Sequence, residues 1–297
     1  MKNNMRQPIE PNKEDCCNSG CIPCVFDVYE KQLKLYEAFV KNGKLSEVVE
    51  ENAISQLEYT KFTLVHNSEL CSFHRILAFK RTESVIGKKL FWKAGDHFLV
   101  KYSAGGEVCS RAYTPIKYSI ENNDYDFAII VKKYENGKVS NYLCNITSGQ
   151  ETLWRGPYGS FELVPNKYER IIMIAQGTGI APFYSIIQDV LTNEDDYTKL
   201  VLYFCCSSPE TIILRNELYS FKSYWNFQYN VFINNSICMP KYQEPIHNRK
   251  LEFTDLNFLE PFSNNDQFLL CGSTSFMNDF KICLIEANVS CNNIKTL

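Results

Sequence analysis

The chain has 297 residues, a formal net charge of −3 and 13 cysteines. Apolar residues make up 45% and charged residues 22%, which is typical of a globular protein and argues against a disordered chain or a dedicated nucleic-acid binder. The longest apolar run, Leu200 to Cys206, has seven residues, whereas a membrane helix needs about 20, and the polar N-terminus predicts no signal peptide.

The cysteine count is the unusual feature of the composition. Because no leader is predicted, we expect a cytoplasmic protein, peripheral to a membrane only through a partner. Thiols stay reduced in that compartment, so the cysteines do not predict disulfides. Four of them, Cys16, Cys17, Cys21 and Cys24, fall within nine residues.

The first predicted element is a helix that follows this cysteine cluster. Its apolar and aromatic residues recur at spacings of three and four: Val25, Tyr29, Leu33, Tyr36 and Val40. Asn42 and Gly43 predict its end. Residues 1–50 are therefore assigned to a Cys-rich, helical N-terminal segment, and residues 44–55 to a linker or short connecting helix.

Residues 51–165 predict an antiparallel β-barrel. Six short β-rich runs are separated by turn residues, a pattern typical of such barrels. The runs are Tyr59–His66, Ile76–Arg81, Asp96–Tyr102, Arg111–Ile116, Asp126–Tyr134 and Thr152–Arg155.

Residues 166–297 predict a parallel α/β domain. Fully apolar runs alternate with helical stretches, which indicates a parallel sheet covered on both faces. The predicted strands are Ile171–Ala175, Leu200–Cys206, Phe227–Ile233 and Gln267–Cys271. The predicted helices are Ala181–Leu191, Glu210–Phe221 and Ser275–Ala287.

The sharpest motif, Gln176 to Pro182, directly follows an apolar strand. Its glycines permit a tight turn and close backbone approach to a ligand, and the next helix would aim its free N–H groups at an anion. Pro182 suits the first turn of that helix. The motif predicts nucleotide binding, although a plain strand–turn–helix is the alternative.

Each of four other motifs, taken alone, is only a weak indication of cofactor binding. Arg111 to Pro115 offers a guanidinium fork for a phosphate, and Gly137 to Leu143 offers backbone amides for a pyrophosphate. Gly156 to Gly159 is a turn. Cys271 to Met277 lies at the carboxyl end of the last apolar strand, facing the same crevice as the Gln176 to Pro182 turn.

Together and in this order, the five motifs resemble the cytochrome b5 reductase branch of the ferredoxin–NADP reductase superfamily. The resemblance covers about three quarters of the chain, from about Leu57 to Ala287. It implies a six-stranded barrel that binds FAD and an α/β domain that brings NADH, or NADPH, to the flavin. It further implies a monomer that passes single electrons to an acceptor such as cytochrome b5.

The resemblance also implies cofactor roles for individual residues. Those expected around FAD are Arg111, Ala112, Tyr113, Thr114, Lys132, Tyr134, Gly137, Lys138, Val139 and Ser140, with His97 as a further candidate. Those expected around the pyridine nucleotide are Gly177, Thr178, Gly179, Pro182, Gly272 and Met277. Thr178 and Cys271 are expected at the reacting centre, and no residue is assigned to a metal. A basic rim for an acidic heme protein would draw on Lys88, Lys89, Lys93, Lys132, Lys133 and Lys138.

Two departures from the family pattern affect the interpretation. No aromatic residue follows Phe280, so either the terminal strand is truncated or another residue covers the flavin. Asn234 stands near the place where NADH-selective members carry an acidic residue. An amide does not repel a 2′-phosphate, so we expect NADH to be favoured without strict exclusion of NADPH.

The cysteine cluster keeps several interpretations open. It resembles the oxidoreductase-like N-terminal module of reductase-like proteins, and it could bind a metal or cluster, form reversible disulfides or act as a structural cap. Two alternative functions depend on these departures. One is a non-catalytic relative that acts as an assembly factor through the cysteine segment, and the other is a reductase coupled to an iron–sulfur partner or to its own cluster.

Overall fold

The structure, a computed structural model, describes residues 7–16, 24–42, 52–83, 88–121, 124–234 and 237–297. The chain forms two compact units. The first contains Met1–Asn67, Leu77–Ile129 and Lys133–Ser160, and the second contains Ser68–Ile76, Ile130–Lys132 and Phe161–Leu297. Each unit is described by itself.

Helix α1 (Val25–Asn42) precedes a six-stranded sheet, which belongs mostly to the first unit. Its strands are β1 (Thr60–Cys71), β2 (His74–Arg81), β3 (His97–Ala104), β4 (Glu107–Tyr113), β5 (Phe127–Lys132) and β6 (Glu151–Tyr158), in the order β4-β3-β6-β1-β2-β5. β3 pairs antiparallel with β4 and β6, and β1 with β6. Ile116, just after β4, bridges Ala128 in β5, which joins the two edge strands. The predicted antiparallel barrel is confirmed.

Side-chain alternation along β6 separates the two faces of this sheet. Trp154 is fully buried and packs edge-on against Phe79 and Phe127, with ring centroids 5.1 and 5.3 Å apart. The next residue, Arg155, points to the opposite face. Helix α2 (Lys138–Asn145) lies against β3 and β4.

The N-terminal segment covers that outer face. The Arg155 side chain is only 1% exposed, because Asp15 lies over it. The guanidinium donates to the Asp15 carbonyl and lies 3.6 Å from its carboxylate, and it also stacks 4.7 Å from the Tyr59 ring. On α1, Val28 packs against Leu99 and Tyr158. The segment is therefore part of the packed first unit.

The second unit contains a six-stranded parallel sheet. Its strands are β7 (Arg170–Gln176), β8 (Lys199–Cys206), β9 (Phe227–Ile233), β10 (Ile246–His247), β11 (Asp266–Cys271) and β12 (Ile294–Thr296), and its helices are α3 (Ile180–Leu191), α4 (Arg215–Phe221) and α5 (Thr274–Glu286). The order is β10-β9-β8-β7-β11-β12, with every neighbouring pair parallel. The predicted α/β fold is confirmed, and the strand order reverses at β7, with β8 and β9 on one side of it and β11 on the other.

One local expectation was wrong. The predicted helix Glu210–Phe221 is interrupted, because buried Leu214 adopts a left-handed conformation (φ 58°) between a 3₁₀ turn, Pro209–Thr211, and α4. The last strand, β12, pairs with β11, and the Leu297 N–H donates to the Leu270 carbonyl at 3.0 Å.

The expected short connecting helix falls largely on residues 43–51, which lie outside the described residues. Residues 52–55, the described remainder, are not helical. Among the described helices, none is both long and apolar enough to cross a membrane.

The buried Arg155 charge generates a stability prediction. Asp15→Asn removes the carboxylate that compensates this guanidinium, and we expect it to lower the free energy of unfolding by about 1–3 kcal/mol, the usual cost of an under-satisfied buried group. Urea denaturation measures the effect. The control is Glu14→Gln, an identical charge change on the exposed neighbouring residue. Equal unfolding free energies for the two variants would contradict the buried ion pair.

Candidate functional site

The first candidate phosphate site lies where β4 and the start of α2 meet. The α2 N-cap is Gly137, so no side chain occupies the free amides of the first turn. Lys138 holds this turn to β4 through a 2.5 Å ion pair with Glu107. The exposed guanidinium of Arg111 on β4 donates to the Ser110 carbonyl at 2.8 Å. A guanidinium and the free amides of a helix N-terminus are groups that suit a diphosphate.

The turn before α2 is compact because Gly137 has no side chain. A Cβ there would come within 2.9 Å of the Tyr134 Cβ and closer still to the Ser140 Oγ. The Ser140 hydroxyl donates to the Gly137 carbonyl at 3.1 Å and accepts from the Tyr134 N–H at 3.3 Å. The Ser140 side chain thus shapes the turn, and Val139 is buried behind it.

The aromatic part of the first site is Tyr113, at the end of β4. Its ring lies 6.3 Å from Trp154, and burial raises the pKa of its phenol, which stays protonated. Thr114 follows it, partly exposed, and Ala112 exposes a small side chain on β4. The residues predicted around FAD in the first unit therefore lie together at the β4 and α2 ends.

The second candidate site lies at the carboxyl ends of β7 and β11, where the strand order of the parallel sheet reverses. Gly177 adopts φ 55° with open space around it. A Cβ on Gly179 would lie 2.6 Å from the Cys271 carbonyl carbon, and one on Gly272 would lie 2.8 Å from the Gln176 Cβ. The two turns touch backbone to backbone, at the position where open α/β sheets bind ligands.

Cys271 is held as a neutral thiol beside this contact. Its Sγ donates to the Leu297 carbonyl at 3.2 Å, and burial raises its pKa to about 12. Gln176 fastens the other turn, since its Oε1 accepts from the Ser273 N–H at 3.1 Å and from its hydroxyl at 2.8 Å. The residues between the two turns, Cys271, Gln176 and Ser273, are therefore uncharged and held by hydrogen bonds.

A cavity of about 600 Å³ opens beside these turns, lined by residues of the second unit. Of the predicted residues, Gly177 and Lys132 line it, and so does Asn234 at the end of β9. Gln176, Ser273 and Phe276 also line it and lie within motifs singled out from the sequence, whereas sequence reasoning missed others, among them His74, Cys205, Cys206, Ser207 and Lys250. The position of Ser207 just after β8 is the signal that could have identified it, because ligands gather at these strand ends.

The other residues predicted to contact the cofactors, Pro182, Met277, Thr178 and His97, are not among those that line the cavity. Pro182 is buried in the first turn of α3, and Met277 packs against the core of the second unit. Thr178 is partly exposed between the two glycines of its turn. His97 stacks on Tyr158 with ring centroids 5.8 Å apart, and burial lowers its pKa to about 4, so its imidazole is neutral.

Comparison with known proteins decides what these sites belong to. Residues 61–163 match the oxidoreductase FAD-binding domain, residues 173–281 the oxidoreductase NAD-binding domain, and residues 5–44 the N-terminal oxidoreductase-like domain. A human protein named NADH-cytochrome b5 reductase-like is 30% identical over 96% of this chain and 92% of its own length. The chain belongs to the NADH-cytochrome b5 reductase-like family.

Other comparisons agree with this membership. The mouse protein of the same name is 29% identical over 96% of this chain and 93% of its own length. The fold matches the cytochrome b5 reductase domain of Ulva prolifera nitrate reductase (TM-score 0.71, 20% identity, 83% of this chain and 100% of that one). It also matches a ferredoxin NADP+ reductase from Neisseria gonorrhoeae (TM-score 0.64, 19% identity, 81% and 98%). The chain is thus an NAD(P)H-dependent flavin oxidoreductase that uses FAD.

The backbone contact at Gly179 generates a prediction about the pyridine nucleotide. Gly179→Ala forces the two turns apart, so we expect kcat/KM for NADH to fall about 10–100-fold, since displacements near 1 Å have such effects. Bound FAD per chain should be unchanged. Steady-state kinetics with ferricyanide measures the change. Gly105→Asn, in an open turn at φ 60°, is the control, and wild-type kinetics for Gly179→Ala would contradict the predicted role.

Arg111 is predicted to hold the FAD diphosphate. Removing a charged hydrogen bond costs about 1.5–3 kcal/mol, so Arg111→Ala should weaken FAD binding about 10–100-fold. Flavin fluorescence released during dialysis measures the loss. Lys61→Ala, which removes an exposed positive charge on β1, should retain FAD, and Arg111→Lys should fall between the two. Full flavin retention by Arg111→Ala would contradict the assignment.

Proposed function

We propose that the chain takes a hydride from NADH and delivers electrons singly to a heme protein of the cytochrome b5 type. The observation that carries this proposal is the presence of two separate glycine turns that precede helices, at Gly137 before α2 and at Gly177 before α3. They fall in the stretches that match an FAD-binding and a NAD-binding domain, respectively. The acceptor is inferred from relatives named NADH-cytochrome b5 reductase-like.

The protein residues supply binding and orientation in this proposal. FAD, when bound, can accept a hydride and give up its electrons one at a time. Arg111 and the first amides of α2 hold its diphosphate, while Gly177 and Gly179 let the nucleotide approach the backbone. Cys271 contributes a small neutral side chain, because its raised pKa keeps a thiolate charge away from the reacting rings. Ring alignment then matters more than an acid or base.

We propose NADH as the main donor, with incomplete exclusion of NADPH. Asn234 lines the cavity at the end of β9, and Lys250 lines it as well. An uncharged amide near a lysine does not repel a 2′-phosphate. The Leu297 carbonyl lies beside Cys271 and accepts from its thiol. The catalytic interpretation is favoured over a non-catalytic one because the chain matches both an FAD-binding and a NAD-binding domain.

The acceptor would dock through lysines on the first unit. Lys89, Lys93 and Lys133 are exposed on the surface. Lys138 forms an ion pair with Glu107, and Lys132 lines the cavity. Exposed positive charges speed encounter with an acidic partner, and salt screens that effect. We propose that the enzyme acts as a monomer in the cytoplasm and reaches membranes only through this partner.

Reduction of purified cytochrome b5 tests the proposal. With NADH, we expect rapid reduction of its heme at low ionic strength and slower reduction at high ionic strength. The triple variant Lys89→Glu, Lys93→Glu and Lys133→Glu should reduce cytochrome b5 at least ~10-fold more slowly, since steering commonly changes association rates by that factor or more. Reduction of the small acceptor ferricyanide by this variant is the control and should be unchanged. Ferricyanide reduction by the wild type without cytochrome b5 reduction at any ionic strength would refute the acceptor.

A further inference from the structure

The N-terminal segment brings two cysteines together. The sulfurs of Cys16 and Cys24 are 3.8 Å apart, although eight positions separate them in the chain. Cys16 ends the short 3₁₀ turn Lys13–Asp15, and Cys24 immediately precedes α1. Both are partly buried, so a small ion can reach them from solvent.

Two independent anchors fix this pair. Asp15, next to Cys16, is bound to the buried Arg155. Val28, whose N–H donates to the Cys24 carbonyl at 3.0 Å, is buried against Leu99 of the barrel sheet. The separation of the sulfurs is therefore set by contacts on either side of residues 17–23, which lie outside the described residues. A pre-positioned pair loses little freedom when it binds a ligand.

The two sulfurs are in contact as free thiols, at a separation at which either can donate a hydrogen bond to the other. They are not joined in a disulfide, whose sulfurs lie about 2.05 Å apart. Two thiolates bound at about 2.3 Å to one tetrahedral ion lie about 3.8 Å apart, and this is the separation observed. The pair has the geometry of two ligands on a shared ion.

The charges around the pair favour a cation. Asp27 accepts the Cys24 N–H at 2.8 Å, which places a carboxylate at this end of α1. Binding of a divalent cation would release the thiol protons as metal–sulfur bonds form.

We propose that Cys16 and Cys24 are two ligands of a thiolate site for a divalent cation of the Zn²⁺ class. Zn²⁺ takes four donors in structural sites, so the pair fills two positions. The ion would tie the start of α1 to the 3₁₀ turn that Arg155 holds against the barrel. It is a structural site, separate from the flavin and nucleotide residues, and it does not depend on the proposed acceptor.

Cobalt substitution of the full-length chain tests the site. Co²⁺ added to anaerobic, chelator-treated protein should give thiolate charge-transfer bands in difference spectra, at one ion per chain, and Zn²⁺ should abolish them. Even outer-shell substitutions at metal sites cost about 10–100-fold, so Cys16→Ser and Cys24→Ser should each bind Co²⁺ at least tenfold more weakly. Cys291→Ser, at an exposed thiol elsewhere, is the matched control and should bind normally.

Bound FAD per chain separates metal loss from unfolding, because it should be the same in all these variants. If a variant does not fold, wild-type protein provides the readout. Zn²⁺ should protect Cys16 and Cys24, but not Cys291, from alkylation mapped by peptide mass spectrometry. The proposal is overturned by thiolate bands that survive both substitutions, by alkylation that is indifferent to Zn²⁺, or by iron with acid-labile sulfide on these thiols.

Discussion

The nucleotide site depends on one steric constraint, the backbone contact between the turns that follow β7 and β11. Gly179 lies so close to the Cys271 carbonyl that no Cβ fits, and Gly272 meets Gln176 in the same way. This contact stands where the sheet order reverses, so the crevice at that edge is formed by backbone. The positions of Cys271 and Gly177 follow from it.

A second constraint organises the first unit. The outer face of a barrel strand usually meets solvent, yet Arg155 on β6 is buried because Asp15 and the Tyr59 ring cover its guanidinium. A buried charge must be compensated, so the N-terminal segment is required for the stability of this face. The same arrangement positions Cys16, the residue after Asp15, and links the cysteine segment to the flavin-binding sheet.

The strands and helices that local hydrophobic patterns determine were predicted from the sequence. Strand β9 was predicted near its observed bounds, Phe227–Ile233. The continuous apolar run Leu200–Cys206 lies in β8, which begins one residue earlier, at Lys199, because a buried parallel strand needs such a run. Long-range contacts were not predictable, because Asp15 and Arg155 are 140 positions apart. The interruption of the predicted helix at Leu214 was not predictable for a related reason. The left-handed conformation of Leu214 accompanies its burial in the assembled fold, which local periodicity does not encode. The cavity was not predictable for the same reason, because its lining residues come from the ends of strands that are far apart in the sequence.

The central claim is that this chain brings a pyridine nucleotide to a bound flavin, and anaerobic titration with NADH tests it most directly. The account predicts a yellow protein with one FAD per chain, whose visible flavin absorbance disappears on addition of about one equivalent of NADH, as expected for two-electron hydride transfer. A colourless protein that takes up no FAD would contradict the account. So would a bound flavin that dithionite bleaches and NADH does not.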